Sequence, residues 1–265
     1  MAWMFDIGRE FHEMLCAIHA TNGRLGVIRP TPLSVSTMTI VGKLDATSVP
    51  LKRILDHLQE FGDDDIALPP NDKAAKFCNQ VTLKCKRMSI KVFGNGKVQV
   101  TGCRSAVHFI SVMDTLIAFL SRVLDTPTPM ALCDASIKCI NASFMVTRVL
   151  PLPALRQRFA DMGHFASYTP DMFAGLKVEV PFGAKTVKAV VFRSGSINLT
   201  AASTPAQISE AYATMCMGTD AFLATLDTPA ALSVPKNRVT PAIVEDYDII
   251  DGYSFRVFHL CTGVE

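Results

Sequence analysis

One succession of strand, helix, hairpin and long-helix signals occurs twice along this chain, the copies about a hundred residues apart. A repeat of that size is a complete folding unit rather than a short stacking motif. In the first copy Leu33-Ser-Val-Ser-Thr-Met-Thr-Ile-Val41 alternates with the two-residue period of a strand. Val49-Pro50 then opens a helix whose Leu51, Ile54, Leu55 and Leu58 form one stripe, with Gly62 as the stop. Strands are expected next at Phe77–Cys85, Met88–Phe93 and Lys97–Thr101, the last two joined by Gly94-Asn95-Gly96. Ser105 caps a long apolar helix to Leu124, and Pro127 and Pro129 mark a linker. The second copy predicts a strand over Ile137–Thr147, a helix over Pro153–Met162, strands over Phe173–Val180, Val187–Phe192 and Ser196–Thr200 around Ser194-Gly195, and a helix from Thr204-Pro205 towards Leu226. Phe93 and Phe192 are 99 residues apart, as are Thr101 and Thr200, so the copies are in register over their hairpins. The organisation is an N-terminal extension (1–32), two repeats (33–126 and 127–226) and a C-terminal extension (227–265).

The alternation assigns faces. In Lys97-Val-Gln-Val-Thr101 the valines oppose Lys97, Gln99 and Thr101; in Ser196-Ile-Asn-Leu-Thr200 the aliphatics oppose Ser196, Asn198 and Thr200. The long helices must cover the apolar faces, which leaves the polar ones open. Ile90 and Val92 fall on the covered side, so Phe93 falls on the open side, and Phe192 likewise opposes Val191. A large aromatic on an open sheet face at the same register in both repeats calls for a ligand.

Charge points to the same face. The net charge of +2 conceals a gradient: 0 over residues 1–32, +5 over 33–225 and −3 over 226–265. Between Lys73 and Arg104 stand Lys73, Lys76, Lys84, Lys86, Arg87, Lys91, Lys97 and Arg104 without one acidic residue. Such a run on strand-patterned sequence is the footprint of a polyanion ligand. Apolar content of 49% excludes whole-chain disorder. No uninterrupted apolar stretch reaches membrane-spanning length and no secretory leader is evident, so a soluble intracellular protein is expected. The eight cysteines lack zinc or redox spacing and are expected as free, buried thiols. The six histidines show no metal spacing and no nucleophile motif appears, so neither catalysis nor a cofactor is expected.

Val92-Phe-Gly-Asn-Gly-Lys-Val-Gln-Val-Thr-Gly102, Ser167-Tyr-Thr-Pro-Asp-Met-Phe-Ala-Gly-Leu176 and Val191-Phe-Arg-Ser-Gly-Ser-Ile-Asn-Leu-Thr200 resemble the TATA-box-binding protein (TBP) family, and the order of elements matches from about Leu33 to Leu226. The resemblance implies an α+β fold: a TBP-like saddle in which two pseudo-symmetric repeats form a curved ten-stranded antiparallel sheet, with helices on the convex face and DNA held in its minor groove by the concave one. It implies phenylalanine wedges at Phe77 and Phe93 and at Phe173 and Phe192, and groove-centre threonines at Thr101 and Thr200. Lys84, Lys86, Lys97, Lys185, Lys188 and Arg193 would then approach phosphates along the rim.

The chain departs from the family pattern where specificity resides. Gln99 and Asn198 stand beside the groove threonines where the family has valine, Lys91 stands where it has an apolar residue, and Leu33 and Cys139 occupy the positions of its first-strand asparagines, with Asn141 two residues on. Gln and Asn can accept from the guanine amino group, the one donor that separates G·C from A·T in this groove, so relaxed A/T preference is expected. The resemblance also implies partners: general transcription factors of the B and A types, or viral counterparts, the former at a second stirrup around Pro181–Lys185, and a homodimer in the absence of DNA. The divergence resembles factors encoded by large DNA viruses, which places the protein in the nucleus or in a viral factory or host cytoplasm.

Residues 3–18 are expected as an amphipathic helix with Trp3, Ile7, Met14 and Ile18 on one side and Asp6 as cap, packed on the convex helices or offered to a partner. The acidic tail, with Glu245, Asp246, Asp248 and Asp251 among aromatics, either adds an element or covers the basic face. Three functions remain: a DNA-bending initiation factor, the same saddle as a non-TATA nucleic-acid or protein-binding scaffold, and a sliding-clamp-like processivity factor.

Overall fold

A computed structural model of the protein describes residues 2–70, 79–125 and 130–226, with side chains from residue 8 on apart from that of Ala106. Phe77, Lys73, Lys76, the linker prolines, the acidic tail and the side chains of Trp3, Asp6 and Ile7 lie outside the described residues. The elements in order are α1 (Ala2–Asn22), β1 (Ser34–Leu44), α2 (Leu51–Glu60), β2 (Ile66–Ala67), β3 (Gln80–Cys85), β4 (Met88–Phe93), β5 (Lys97–Cys103), α3 (Ala106–Leu124), β6 (Leu132–Met145), α4 (Leu152–Asp161), β7 (Phe165–Ser167), β8 (Leu176–Phe182), β9 (Lys185–Val191), β10 (Ser196–Ala202) and α5 (Pro205–Ala224). The fold is α+β, with ten strands in one open antiparallel sheet in the order β2-β3-β4-β5-β1-β6-β10-β9-β8-β7.

The chain divides into two compact units, one centred on Val35–Ile140, the other on Arg9–Ser34 and the residues from Asn141 on. Strand β6 passes from the first to the second. In the first unit Val81, Leu83, Ile90, Val92, Val98 and Val100 are fully buried on one sheet face, as are Ile54 of α2 and Phe109, Val112 and Leu116 of α3. In the second, Val178, Ala189, Val191, Ile197 and Leu199 are fully buried, as are Leu155 and Phe159 of α4 and Ile208, Tyr212 and Met215 of α5. Each large apolar side chain among them contributes about 1.5–3 kcal/mol on leaving water, so every strand is committed to one orientation. By length and composition Val107–Leu124 would also suit a membrane span, but it is interrupted by Asp114 and Arg122, and in this fold it is a core helix whose Phe109, Val112, Met113, Leu116 and Leu120 are buried.

The duplication extends to backbone details. The β4–β5 and β9–β10 turns contain Gly96 (φ +78°) and Gly195 (φ +89°), left-handed conformations that glycine adopts without strain. Each turn clasps the strand that opens its repeat: Leu44 N–H donates to the Gly96 carbonyl at 2.9 Å, and Val146 N–H to the Gly195 carbonyl at 2.9 Å. Further along, Val49 N–H donates to Gly94 O at 2.8 Å and Leu150 N–H to Arg193 O at 2.9 Å, which sets the approach to α2 and α4. Ser105 caps α3 by accepting from His108 N–H at 3.2 Å, and Thr204 caps α5 by accepting from Gln207 N–H at 3.3 Å. Gly102 (φ +101°) and Ala201 (φ +66°) repeat one left-handed kink 99 residues apart.

Several expectations need correction. Helix α1 begins at Ala2, so Asp6 lies within it and does not cap it. Two short strands, β2 and β7, occur where the sequence carries only loop signals; at two and three residues they are too short for an alternation to show. Phe173 precedes β8 instead of opening it, and Leu33 is buried at 3% exposure just outside β1. Among the described cysteines, all free, Cys85, Cys103 and Cys216 are buried, but Cys16 and Cys133 are exposed. Burial pushes the Cys103 thiol up to about 11 and that of Cys216 to about 12, so both stay protonated.

The end of α1 and the segment after it are tied to α5 within the second unit. Met14 and Ile18 are buried, and the Tyr212 hydroxyl donates to Asn22 Oδ1 at 2.7 Å. The Asp220 carboxylate accepts from the backbone N–H groups of Gly26 (2.9 Å), Val27 (2.7 Å) and Ile28 (2.7 Å). Three amides converging on one carboxylate form a charge-assisted latch.

Candidate nucleic-acid interface

Each repeat presents an uncovered sheet face built from cross-strand rows. In the first repeat Gln80 of β3 pairs with Phe93 of β4. The next row is Thr82–Lys91–Gln99–Val41, and the one after is Lys84–Ser89–Thr101–Thr39, from β3, β4, β5 and β1 in turn. Lys97 faces Lys43 at the turn end. These residues alternate with fully buried neighbours, so their side chains lie on the opposite face. Lys43 is committed locally: its Nζ donates to the carbonyl oxygens of Ala46, at 3.2 Å, and of Asn95. Lys84, Lys91 and Lys97 are the remaining cations, and no carboxylate stands in the rows.

In the second repeat the rows are Ser167–Lys177–Val190–Asn198 and Phe165–Glu179–Lys188–Thr200. Phe192 follows β9 on this side and Phe173 comes from the β7–β8 loop. Their ring centroids are 6.1 Å apart with planes at 61°, an edge-to-face pair. Phe173 keeps 37% exposure and the Lys177 ammonium lies 4.9 Å from its centroid. Thr200 donates its hydroxyl to the Lys188 carbonyl at 3.3 Å. Arg193 is exposed at the turn beside Phe192.

The open-face residues read from sequence thus fall as follows. Phe93, Gln99, Thr101, Lys84, Lys91 and Lys97 share the first face; Phe173, Phe192, Asn198, Thr200 and Arg193 gather on or beside the second. Two rim cations fall elsewhere: Lys86 Nζ donates to Ser111 Oγ of α3 at 2.9 Å and Lys185 Nζ to Ser203 Oγ, just before α5, at 2.7 Å, so both are drawn to the helix side. Pro181–Lys185 is the tight β8–β9 hairpin around Gly183, whereas the long exposed loop runs from Tyr168 to Gly175 and carries Met172 at 88% exposure. Asn141 and Cys139 occupy alternate, half-buried positions of β6. Lys177, Thr39, Thr82 and Phe165 were not singled out by sequence reasoning. Lys177 sits in an alternation already visible at Leu176–Val180, and that signal could have found it.

Residues 134–218 match the family model "Transcription factor TFIID (or TATA-binding protein, TBP)". No curated protein matches the chain. Among solved structures the fold is similar to the TBP of Methanococcus jannaschii, at 15% identity over 71% of this chain and 98% of that one, TM-score 0.48. It is also similar to a rolling-circle replication initiator protein from Geobacillus stearothermophilus, at 8% identity over 70% of this chain and 79% of that one, TM-score 0.33. At such values neither likeness adds weight, and the sequence match over the second repeat carries the assignment. A TBP-like domain is thus matched from β6 into α5, and its turns, caps and open-face rows recur in the first half of the chain.

Proposed function

We propose that the protein binds double-stranded promoter DNA in the minor groove and bends it, with Phe173 and Phe192 entering a base step at one end of the site and Phe93, paired by family resemblance with Phe77, entering at the other. The observation that carries this reading is the Phe173–Phe192 pair: two rings 6.1 Å apart, on the uncovered side of the sheet, beside a turn. Aromatic rings placed there have no core to join, and unstacking a base step gives them one. That exchange costs about a few kcal/mol per step and is repaid by the surface a bent duplex offers, TBP itself being the type case. Lys84, Lys91, Lys97, Lys188 and Arg193 would meet phosphates and supply salt-dependent affinity. Selection would come from deformability, relaxed towards G·C where an acceptor such as Gln99 Oε1 reaches the guanine amino group. In this reading the protein is a non-catalytic factor that positions general initiation factors on the bent site.

The test is affinity and bending, by fluorescence energy transfer across end-labelled A/T-rich and random duplexes, for the native chain and for Phe93→Ala and Phe192→Ala. Both variants are expected to lose bending. Unchanged bending in both removes the wedge reading, and a selected consensus that is strictly A/T removes the relaxed preference.

A further inference from the structure

The two open faces differ at one pair of equivalent positions, and the difference has a direction. Two residues before Phe93 on β4 stands Lys91, directly opposite Gln99; two residues before Phe192 on β9 stands Val190, directly opposite Asn198. All four are half-buried on the uncovered side. Among the described residues Lys91, Gln99 and Asn198 have no side-chain hydrogen-bond or ionic partner. Their neighbours differ as well: beyond Lys91 the row continues to Thr82, and beyond Val190 to Lys177, whose ammonium is turned to the Phe173 ring.

We propose that the repeat-1 half-site accepts G·C pairs and the repeat-2 half-site excludes them, so that Lys91 and Val190 set the direction in which the protein lies on DNA. The proposal rests on the minor-groove reading above. Both base-pair types offer acceptors on the groove floor, and G·C adds the guanine amino donor. On the first face the unbranched Lys91 can withdraw its ammonium towards a phosphate, and Gln99 Oε1 reaches the amino group as acceptor. On the second face Val190 is stiff at χ1 and apolar, and Asn198 is one methylene shorter, so a guanine amino group above Val190 is left buried without an acceptor. An unsatisfied group of this kind, like a mismatched pair in a specific site, lowers affinity about tenfold or more.

A self-complementary A/T-rich duplex makes the test direct, because the protein can lie on it in either direction. Affinity is measured for that duplex, for one with G·C pairs in one half, and for one with G·C pairs in both halves. The native chain should lose about twofold for one substituted half, since only one of two orientations is lost, and about tenfold or more for both halves. Lys91→Val should make the singly substituted duplex cost about tenfold or more, as the doubly substituted one costs the native chain. Val190→Lys combined with Asn198→Gln, which rebuilds the repeat-1 pair, should remove most of the penalty on the doubly substituted one. Retained affinity of both variants for the A/T duplex reports that they are folded and competent. If doubly substituted DNA binds the native chain as well as singly substituted DNA, or if the reciprocal variants leave the pattern unchanged, the proposal is overturned while minor-groove binding stands. If no duplex is bound at all, both are overturned.

Discussion

Replacing Gly195 by alanine separates two roles of a turn glycine, because Gly183 provides a control in the same unit. Both have left-handed backbones, φ +89° at Gly195 and +57° at Gly183. A Cβ on Gly183 meets nothing within 4 Å, whereas one on Gly195 would lie 2.0 Å from the Val146 carbonyl oxygen and 2.7 Å from that of Arg148. A left-handed alanine costs about 1–2 kcal/mol, offset by about 0.4–1 kcal/mol from the less flexible unfolded chain, so Gly183→Ala should cost about 1 kcal/mol or less. Gly195→Ala carries the same backbone strain and also drives the end of β6 away from the turn. That breaks the Val146-to-Gly195 and Leu150-to-Arg193 hydrogen bonds, each 2.9 Å long, worth about 1 kcal/mol apiece. The expected loss is about 3 kcal/mol. Urea unfolding followed by circular dichroism should show a midpoint lower by about 1 M for Gly195→Ala and little changed for Gly183→Ala, with similar slopes. Equal midpoints in the two variants would refute the claim that the clasp between turn and strand, and not the turn conformation alone, is what the glycine protects.

Other outcomes follow from the latch and from the basic face. Partial burial works against the charge of Asp220, but hydrogen bonds from Gly26, Ile28 and Val27 outweigh it, helped by Arg29, and hold the carboxyl below its usual value. A carboxylate with a lowered folded-state pKa stabilises the protein above its unfolded-state pKa, and the contribution fades as pH falls through the folded value. Asp220→Asn should therefore cost about 1–2 kcal/mol at pH 7 and flatten the acid limb of the stability–pH curve; parallel curves for the two proteins would show that the latch contributes nothing. Replacing Lys84, Lys91 and Lys97 together by glutamine should lower the slope of log affinity against log salt by about 0.9 for each phosphate no longer neutralised. Unchanged slopes would place those ammonium groups away from the DNA.

Much of the architecture was legible because it is written twice. The Ser105 and Thr204 caps, the Gly96 and Gly195 turns and the valine alternation of β5 are local signals, each set by one or two residues, and recurrence at a fixed offset made them mutually confirming. The missing strands, β2 and β7, carry no such signal, since their pairing is imposed by neighbours β3 and β8 and not by their own pattern. Lys86 and Lys185 were misplaced for a related reason. Strand parity ends at a hairpin, and beyond it a long flexible side chain goes to whichever acceptor the fold brings near, here Ser111 and Ser203.

What the sequence determined by itself is the duplicated α+β plan, the inner and outer sides of its strands and the identity of its open-face chemistry, because periodicity and capping act within a few residues along the chain. The tertiary structure decided which side chains meet. The Phe173–Phe192 edge-to-face pair, Lys177 over Phe173, the pairing of Lys91 with Gln99 against Val190 with Asn198, and the three amides gathered by Asp220 all join residues distant in sequence or held on separate elements. Their distances depend on strand register and loop path, which are fixed only when both apolar faces are buried at once.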